Sequence, residues 1–78
     1  MSLKNCREQI DILDDEIISL LEKRFEIVQK ITNLKKSCNL KIEDRNREDE
    51  ILSKISSKYI KNIYISIFKN SKEMQNEY

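Results

Sequence analysis

Apolar residues recur every three to four positions through the first half of the chain, and this spacing predicts one long amphipathic helix over residues 3 to about 37. The main apolar stripe of this helix, expected to face a core, consists of Ile10, Leu13, Ile17, Leu20, Leu21, Val28 and Ile31. A second strip, with Ile18 and Phe25, lies about 100° around the helix. A helix of about 50 Å with two apolar strips needs neighbours on two sides.

The rest of the chain predicts two shorter helices. Residues 38–43 form a connection, and Asp44 is placed to cap the second helix. The apolar side of that helix consists of Ile51, Leu52 and Ile55. After a serine-containing link, the third helix begins near Tyr59 and runs close to Tyr78. Its inner face consists of Ile60, Tyr64, Ile67 and Phe68.

Length and composition favour one all-α domain over residues 1–78. The sequence has no Gly and no Pro, so the usual turn formers and helix breakers are absent. A domain of 78 residues buries little surface and is marginally stable alone. Two chains that wrap their long helices together would cover the second apolar strip. We therefore expect one long helix and two shorter helices in an intertwined helical homodimer.

Charge and residue usage exclude several classes of function. The net charge of +1 gives no overall field that would favour nucleic acid or an anionic membrane. No apolar run approaches the roughly 20 residues that span a bilayer, and the start is unlike a signal peptide, so a cytoplasmic location is expected. The absence of His excludes a His-containing metal site and Ser-His or Cys-His catalysis. Cys6 and Cys38, about 48 Å apart along one helix, are expected to be reduced.

Polar residues nevertheless interrupt the apolar face of each predicted helix. Arg24 and Lys35 are eleven residues apart, only about 20° apart around the first helix, and lie on its main stripe. Burying such cations alone costs several kcal/mol or more, so they need an anionic partner or water. Matching pairs are Asp44 and Glu48 on the second helix, and Ser71 and Gln75 on the third. Together they predict a polar pocket lined by all three helices.

Purely structural interpretations of these pairs stay open. Arg24 with Glu48, or Lys35 with Asp44, would form buried ion pairs without any ligand. Asp44 would also serve as a helix cap whatever its other role. Near the C-terminus, Ser71 and Gln75 would equally suit a frayed helix end that faces water.

Arg7 is the third cation of interest. It lies about 25 Å along the helix from Arg24 and about 100° around it, on the strip of Ile18 and Phe25. It cannot readily serve the same pocket within one chain. In a homodimer it could reach the pocket of the partner subunit, and the alternative is a solvated surface arginine.

Such a set of side chains suits a small, hydroxylated ligand with several negative charges. Arginine binds carboxylates bidentately, and a glutamate accepts a hydrogen bond from a hydroxyl. No obvious nucleophile, metal site or cofactor motif is present in the sequence. An enzyme with this site would work by positioning and by preorganised electrostatics, which fits a unimolecular rearrangement.

Several segments occur in the order and spacing of one known family. They are REQIDILD at 7–14, LLEKR at 20–24, Lys35, DRNRE at 44–48 and SKEMQ at 71–75. By these segments the chain resembles the AroQ-class, all-helical (type II) chorismate mutases, without gaps from Arg7 through Glu48. The segment from Glu48 to Ser71 is shorter than the family pattern by about two helical turns.

The resemblance implies conversion of chorismate to prephenate by a Claisen rearrangement, without a cofactor, in the biosynthesis of phenylalanine and tyrosine. It implies that Arg24 and the partner subunit's Arg7 hold the two carboxylates of the substrate. Lys35 would contact a carboxylate and the ether oxygen. Gln75 would donate to that same oxygen, where negative charge develops as the bond breaks.

The resemblance also assigns roles to the remaining pocket residues. Glu48, with the backbone near Asp44, would hold the ring hydroxyl. Ser71 would help to bind a carboxylate, and Arg47 would assist through water. If the shortened segment displaces the third helix, Ser71 and Gln75 would miss the pocket.

Two other classes of function stay open from the sequence. A related enzyme of the same fold is an isochorismate pyruvate lyase, which also binds a dicarboxylate with helical cations. The alternative to an enzyme is a non-catalytic helical module. Such a module would bind a metabolite of the aromatic pathway or only dimerise, with its ion pairs serving structure.

Overall fold

The computed structural model describes residues 2–38 and 45–76, except for the side chains of residues 36–38. Three helices follow one another: α1 spans Leu3–Cys38, α2 spans Arg45–Ser53 and α3 spans Lys58–Asn76. The described residues contain no β-strand, so the predicted all-α fold with one long and two shorter helices is confirmed. Asp44, the predicted cap of α2, lies outside the described residues.

Serine side chains fix the starts of α1 and α3. The Oγ of Ser2 accepts a hydrogen bond from the Asn5 N–H at 3.1 Å. The Oγ of Ser57 accepts from the N–H groups of Tyr59 and Ile60 at 3.2 and 3.4 Å. These bonds satisfy donors that have no partner within the first turn of a helix. The sequence predicts that α3 begins near Tyr59. In the structure it begins at Lys58, directly after the Ser57 cap.

α2 ends sooner than its apolar pattern predicts. Ile55 was expected within the helix, but α2 stops at Ser53 and Ile55 lies half-buried in the link that follows. The N–H groups of Lys54 and Ile55 donate to the carbonyls of Ile51 and Leu52, both at 3.1 Å. These tight bonds to the third preceding residue satisfy carbonyls at the helix end. The chain then turns into α3.

α3 is the helix on which both others pack. Ile17 of α1 lies beside Ile63, and Arg24, further along α1, lies beside Ser71, so α1 and α3 run parallel. Only four residues separate α2 from α3, yet Glu48 still reaches the second half of α3. α2 therefore folds back antiparallel on α3.

The buried residues are few and lie together at one end of the molecule. They are Val28 and Thr32 of α1, and Phe68, Ser71 and Gln75 of α3. The main stripe nearer the N-terminus is at least half exposed: Ile10 at 54%, Leu13 at 50%, Ile17 at 52% and Leu20 at 62%. The prediction that this stripe faces a core is therefore wrong for the single chain. The 19 residues of α3 cannot cover the 36 residues of α1, and α2 packs on α3 instead.

The single chain is extended rather than compact. Its extents are 54 × 24 × 15 Å and its radius of gyration is 15.8 Å, against about 11.5 Å for a compact domain of this length. Its accessible surface is 6747 Å², about 1,700 Å² more than a compact monomer of this mass exposes. Subunits of obligate dimers bury surfaces of about this size. The homodimer itself stays a prediction.

Candidate active site

Arg24 is the polar side chain through which α1 meets α3. Its Nη1 donates to the Oγ of Ser71 at 2.7 Å, and its guanidinium carbon lies 6.0 Å from the centroid of the Phe68 ring. The Ser71 hydroxyl in turn donates to the Ile67 carbonyl at 2.9 Å. A half-buried guanidinium fixed by a hydroxyl and an aromatic ring has little freedom to move. It still has further N–H groups with which to bind an anion.

Glu48 of α2 is held by Lys72 of α3. The Nζ of Lys72 lies 3.0 Å from the Oε1 of Glu48, with side-chain exposures of 33% and 21%. The ion pair considered from the sequence, Arg24 with Glu48, does not form, because α2 packs on α3 and Lys72 is the cation at hand. The other pair considered, Lys35 with Asp44, involves a residue outside the described ranges.

Side chains from all three helices line one pocket. They are Arg24, Arg47, Glu48, Ile51, Phe68, Ser71 and Lys72. The pocket brings together four of the predicted site residues in a space of about 80 Å³. Small-molecule sites usually measure about 300 Å³ or more, so a ligand needs additional walls or movement of side chains.

Gln75 lies one turn beyond Ser71 and is buried in α3. Its Nε2 donates to the Ser71 carbonyl at 3.2 Å, and its Oε1 is buried without a hydrogen-bond partner. Because both residues are buried, the alternative of a frayed, water-facing helix end is wrong. A buried acceptor without a donor costs about 1–3 kcal/mol. The position therefore suits a site where a ligand or water brings a donor.

Lys35 and Thr32 occupy the last turns of α1. Lys35 is half-buried, takes part in an interaction, and is not among the residues that line the pocket around Arg24. Thr32 is only 2% exposed, and its Oγ1 donates to the Val28 carbonyl at 2.8 Å. The sequence reasoning missed Thr32. Its position one turn after Val28 was a signal that it faces inward.

Arg7 and Arg47 are both exposed, but only Arg47 lines the pocket. Arg7 is near the start of α1, about 25 Å along the helix from Arg24. It cannot reach the pocket of its own chain. Its role in the partner's pocket stays a prediction, as does the role of Asp44, which the structure does not describe.

Within residues 2–38 and 45–76, no group of three or more His, Cys, Asp or Glu side chains could hold a metal ion. None of the helices in this part of the chain is long and apolar enough to cross a membrane. Cys6 is a half-buried free thiol.

Fold and site together define an all-helical protein with a polar, cation-rich pocket between three helices. The family profile of chorismate mutase type II matches residues 6–76. The match covers nearly the whole sequence, and the chain belongs to this family.

Two relatives place the chain more closely. It is 38% identical over 66 residues to a bifunctional chorismate mutase/prephenate dehydratase of Aquifex aeolicus (strain VF5). That match covers 85% of this chain but 18% of the relative, so the chain spans less than a fifth of that protein's length. A solved structure, a conserved hypothetical protein from Pyrococcus furiosus, is 46% identical with a TM-score of 0.85. The match covers 94% of this chain and 93% of that one.

Proposed function

We propose that this chain is a chorismate mutase, which converts chorismate to prephenate in the biosynthesis of phenylalanine and tyrosine. Membership of the family supports the chemistry. The observation that carries the proposal is the Arg24–Ser71 pair, which shares one pocket with Glu48. This geometry presents a fixed cation for a carboxylate and an acceptor for a hydroxyl, the two kinds of group that chorismate carries.

Binding of the two carboxylates requires two cations on different sides of the ligand. Arg24 takes one carboxylate, and its contact with Ser71 orients the guanidinium before the ligand arrives. Ser71 also lines the pocket and helps to bind that carboxylate through Arg24, since its own hydroxyl proton is donated to the Ile67 carbonyl. The second carboxylate goes to the partner subunit's Arg7. The exposed apolar stripe of α1 and the small size of the pocket both support a site completed by a second chain.

The reaction breaks one carbon–oxygen bond and forms one carbon–carbon bond within the same molecule. Negative charge develops on the ether oxygen as the bond breaks, and donors already aimed at that oxygen lower the barrier. Lys35 and Gln75 are the proposed donors, on the last turns of two parallel helices. One N–H of the Gln75 amide is used by the Ser71 carbonyl, and the second is directed to the ether oxygen.

The ring hydroxyl of chorismate is assigned to α2. Glu48 accepts its hydrogen bond, together with the backbone near Asp44, and Arg47 assists through water. Both Glu48 and Arg47 line the pocket that also contains Arg24. The rearrangement is unimolecular and redox-neutral, so this assignment requires no cofactor.

An absorbance assay of chorismate loss, with detection of prephenate, tests the function. Lys35→Ala should lower the rate by a factor of about 10²–10³, because it removes a preorganised donor. The control is Lys30→Ala, an exposed lysine of the same helix, which should leave the rate unchanged. No turnover by the wild type, with no thermal shift on adding chorismate, would refute both the mutase and a chorismate sensor. Pyruvate release from isochorismate, without prephenate formation, would favour the lyase.

Mixing two inactive variants tests the role of Arg7 in trans. Each heterodimer of Arg7→Ala and Arg24→Ala chains would contain one intact site and one doubly defective site. After complete exchange, about one quarter of the wild-type sites should return, since half of the dimers are mixed. If confirmed exchange restores no activity, Arg7 does not act across the dimer.

A further inference from the structure

Lys72 lines the pocket but has no role in the proposed function. Its Nζ lies 3.0 Å from the Oε1 of Glu48, and both side chains face the pocket that contains Arg24. The residue before it, Ser71, holds Arg24 of α1 at 2.7 Å. Two consecutive residues of α3 thus hold a cation from one neighbouring helix and a carboxylate from the other.

α2 has little else to fix the direction of Glu48. The helix has nine residues and none of them is buried. Ile51 and Leu52 are half-buried and attach the helix to α3, but they do not constrain the torsions of the glutamate side chain. The contact with Lys72 does so directly, since it ties one carboxylate oxygen to a residue of the longer neighbouring helix.

The contact with Lys72 gives the two carboxylate oxygens of Glu48 different roles. A carboxylate has two oxygens and about four acceptor positions. Lys72 holds Oε1, which leaves Oε2 to accept from a ligand.

We propose that Lys72 is a positioning residue, which holds Glu48 so that its second oxygen meets the ring hydroxyl of the substrate. This inference rests on the proposed function, because it assigns how Glu48 recognises chorismate. Lys72 does not touch the substrate. It acts through Glu48, and its effect on catalysis should vanish when Glu48 can no longer accept the contact.

The test is a double-mutant cycle with Lys72→Met and Glu48→Ala, measured as kcat/KM for chorismate; alanine removes both oxygens that could accept from Lys72. Methionine retains the apolar stem of the lysine and removes its charge. Lys72→Met alone should lower kcat/KM by about 10- to 100-fold, the range expected when a group that contacts the substrate is misplaced by about 1 Å. In the Glu48→Ala background the same change should have no further effect. Lys72→Arg, which keeps a cation, should recover activity to within a few-fold of the wild type.

The control is Lys69→Met, an exposed lysine one turn earlier on α3 and outside the pocket. It should leave kcat/KM unchanged. If Lys72→Met matches Lys69→Met while the wild type turns over chorismate, the positioning role is refuted and the proposed function stands. If Lys72→Met costs as much with Glu48→Ala as without it, Lys72 acts on the substrate directly, and the inference is again refuted. Absence of turnover in the wild type would instead refute the proposed function, on which the positioning role rests.

Discussion

The two halves of α1 have the same apolar spacing and opposite surroundings. In the half nearer the N-terminus, Leu13 and Ile17 are 50% and 52% exposed. In the half nearer the C-terminus, Val28 and Thr32 are 7% and 2% exposed. The difference comes from α3, which packs along only part of the longer helix. Periodicity identifies the face of a helix that is to be covered, but it does not say by which chain.

Burial in the described part of the chain favours polar residues over large apolar ones. Three of the five buried residues in the described chain are polar, namely Thr32, Ser71 and Gln75. Two of these are proposed site residues, whereas fourteen large apolar side chains of the described residues are exposed, seven of them in the half of α1 nearer the N-terminus. A single folded domain normally shows the reverse arrangement. The distribution is understandable if a second chain provides the apolar core and each chain already carries a largely assembled site.

The largest effect should come from a charge placed on the exposed half of α1. Leu13→Asp should convert a dimer into a poorly helical monomer, because burying an unpaired carboxylate costs several kcal/mol or more. Light scattering after gel filtration and circular dichroism measure both effects. The matched control is Ser19→Asp on an exposed, polar part of α1, one turn before Lys23. If Leu13→Asp keeps the mass and helicity of Ser19→Asp, no second chain covers this stripe.

A cavity in the buried end of the molecule should have a smaller effect than Leu13→Asp. It should still lower the free energy of unfolding substantially. Phe68→Ala removes a ring that is 6% exposed and contacts Arg24 and Tyr64. The free energy of unfolding should fall by about 3–5 kcal/mol in a urea titration at fixed protein concentration. Tyr59→Ala, on the opposite side of α3 and 69% exposed, should cost less than about 1 kcal/mol. Equal losses would mean that both faces of α3 are covered.

Helical phase, which is the direction in which a residue projects from its helix, predicted part of the site. Arg24, Glu48 and Ser71 were placed inward from spacing alone, and the structure brings them to one pocket. Phase could not predict that Glu48 pairs with Lys72, because the partner depends on which helix lies beside α2. The early end of α2, with Ile55 outside it, likewise reflects the short link rather than helix propensity.

The orientation of Arg24 can be tested separately from the stability of α3, by a substitution with a smaller expected effect. Ser71→Ala removes the acceptor of the Arg24 guanidinium, a hydrogen bond to a charged group worth about 1.5–3 kcal/mol. We expect kcat/KM to fall about tenfold or more. The matched control is Ser66→Ala, whose hydroxyl also donates to the fourth preceding carbonyl, that of Asn62, on the exposed side. An equal change in kcat/KM for both variants would show that Ser71 does not orient Arg24.

The smallest expected effect lies at the start of α3, away from the pocket. Ser57→Ala removes the cap that accepts from Tyr59 and Ile60, and should lower the free energy of unfolding by about 1 kcal/mol. Ser56→Ala, the neighbouring serine in the link, should cost little. Because the cap lies about 20 Å along α3 from Ser71, kcat/KM should not change. A loss of activity after Ser57→Ala, with stability unchanged, would show that the exposed end of α3 also helps to shape the pocket, and the two ends of the molecule would no longer be separable.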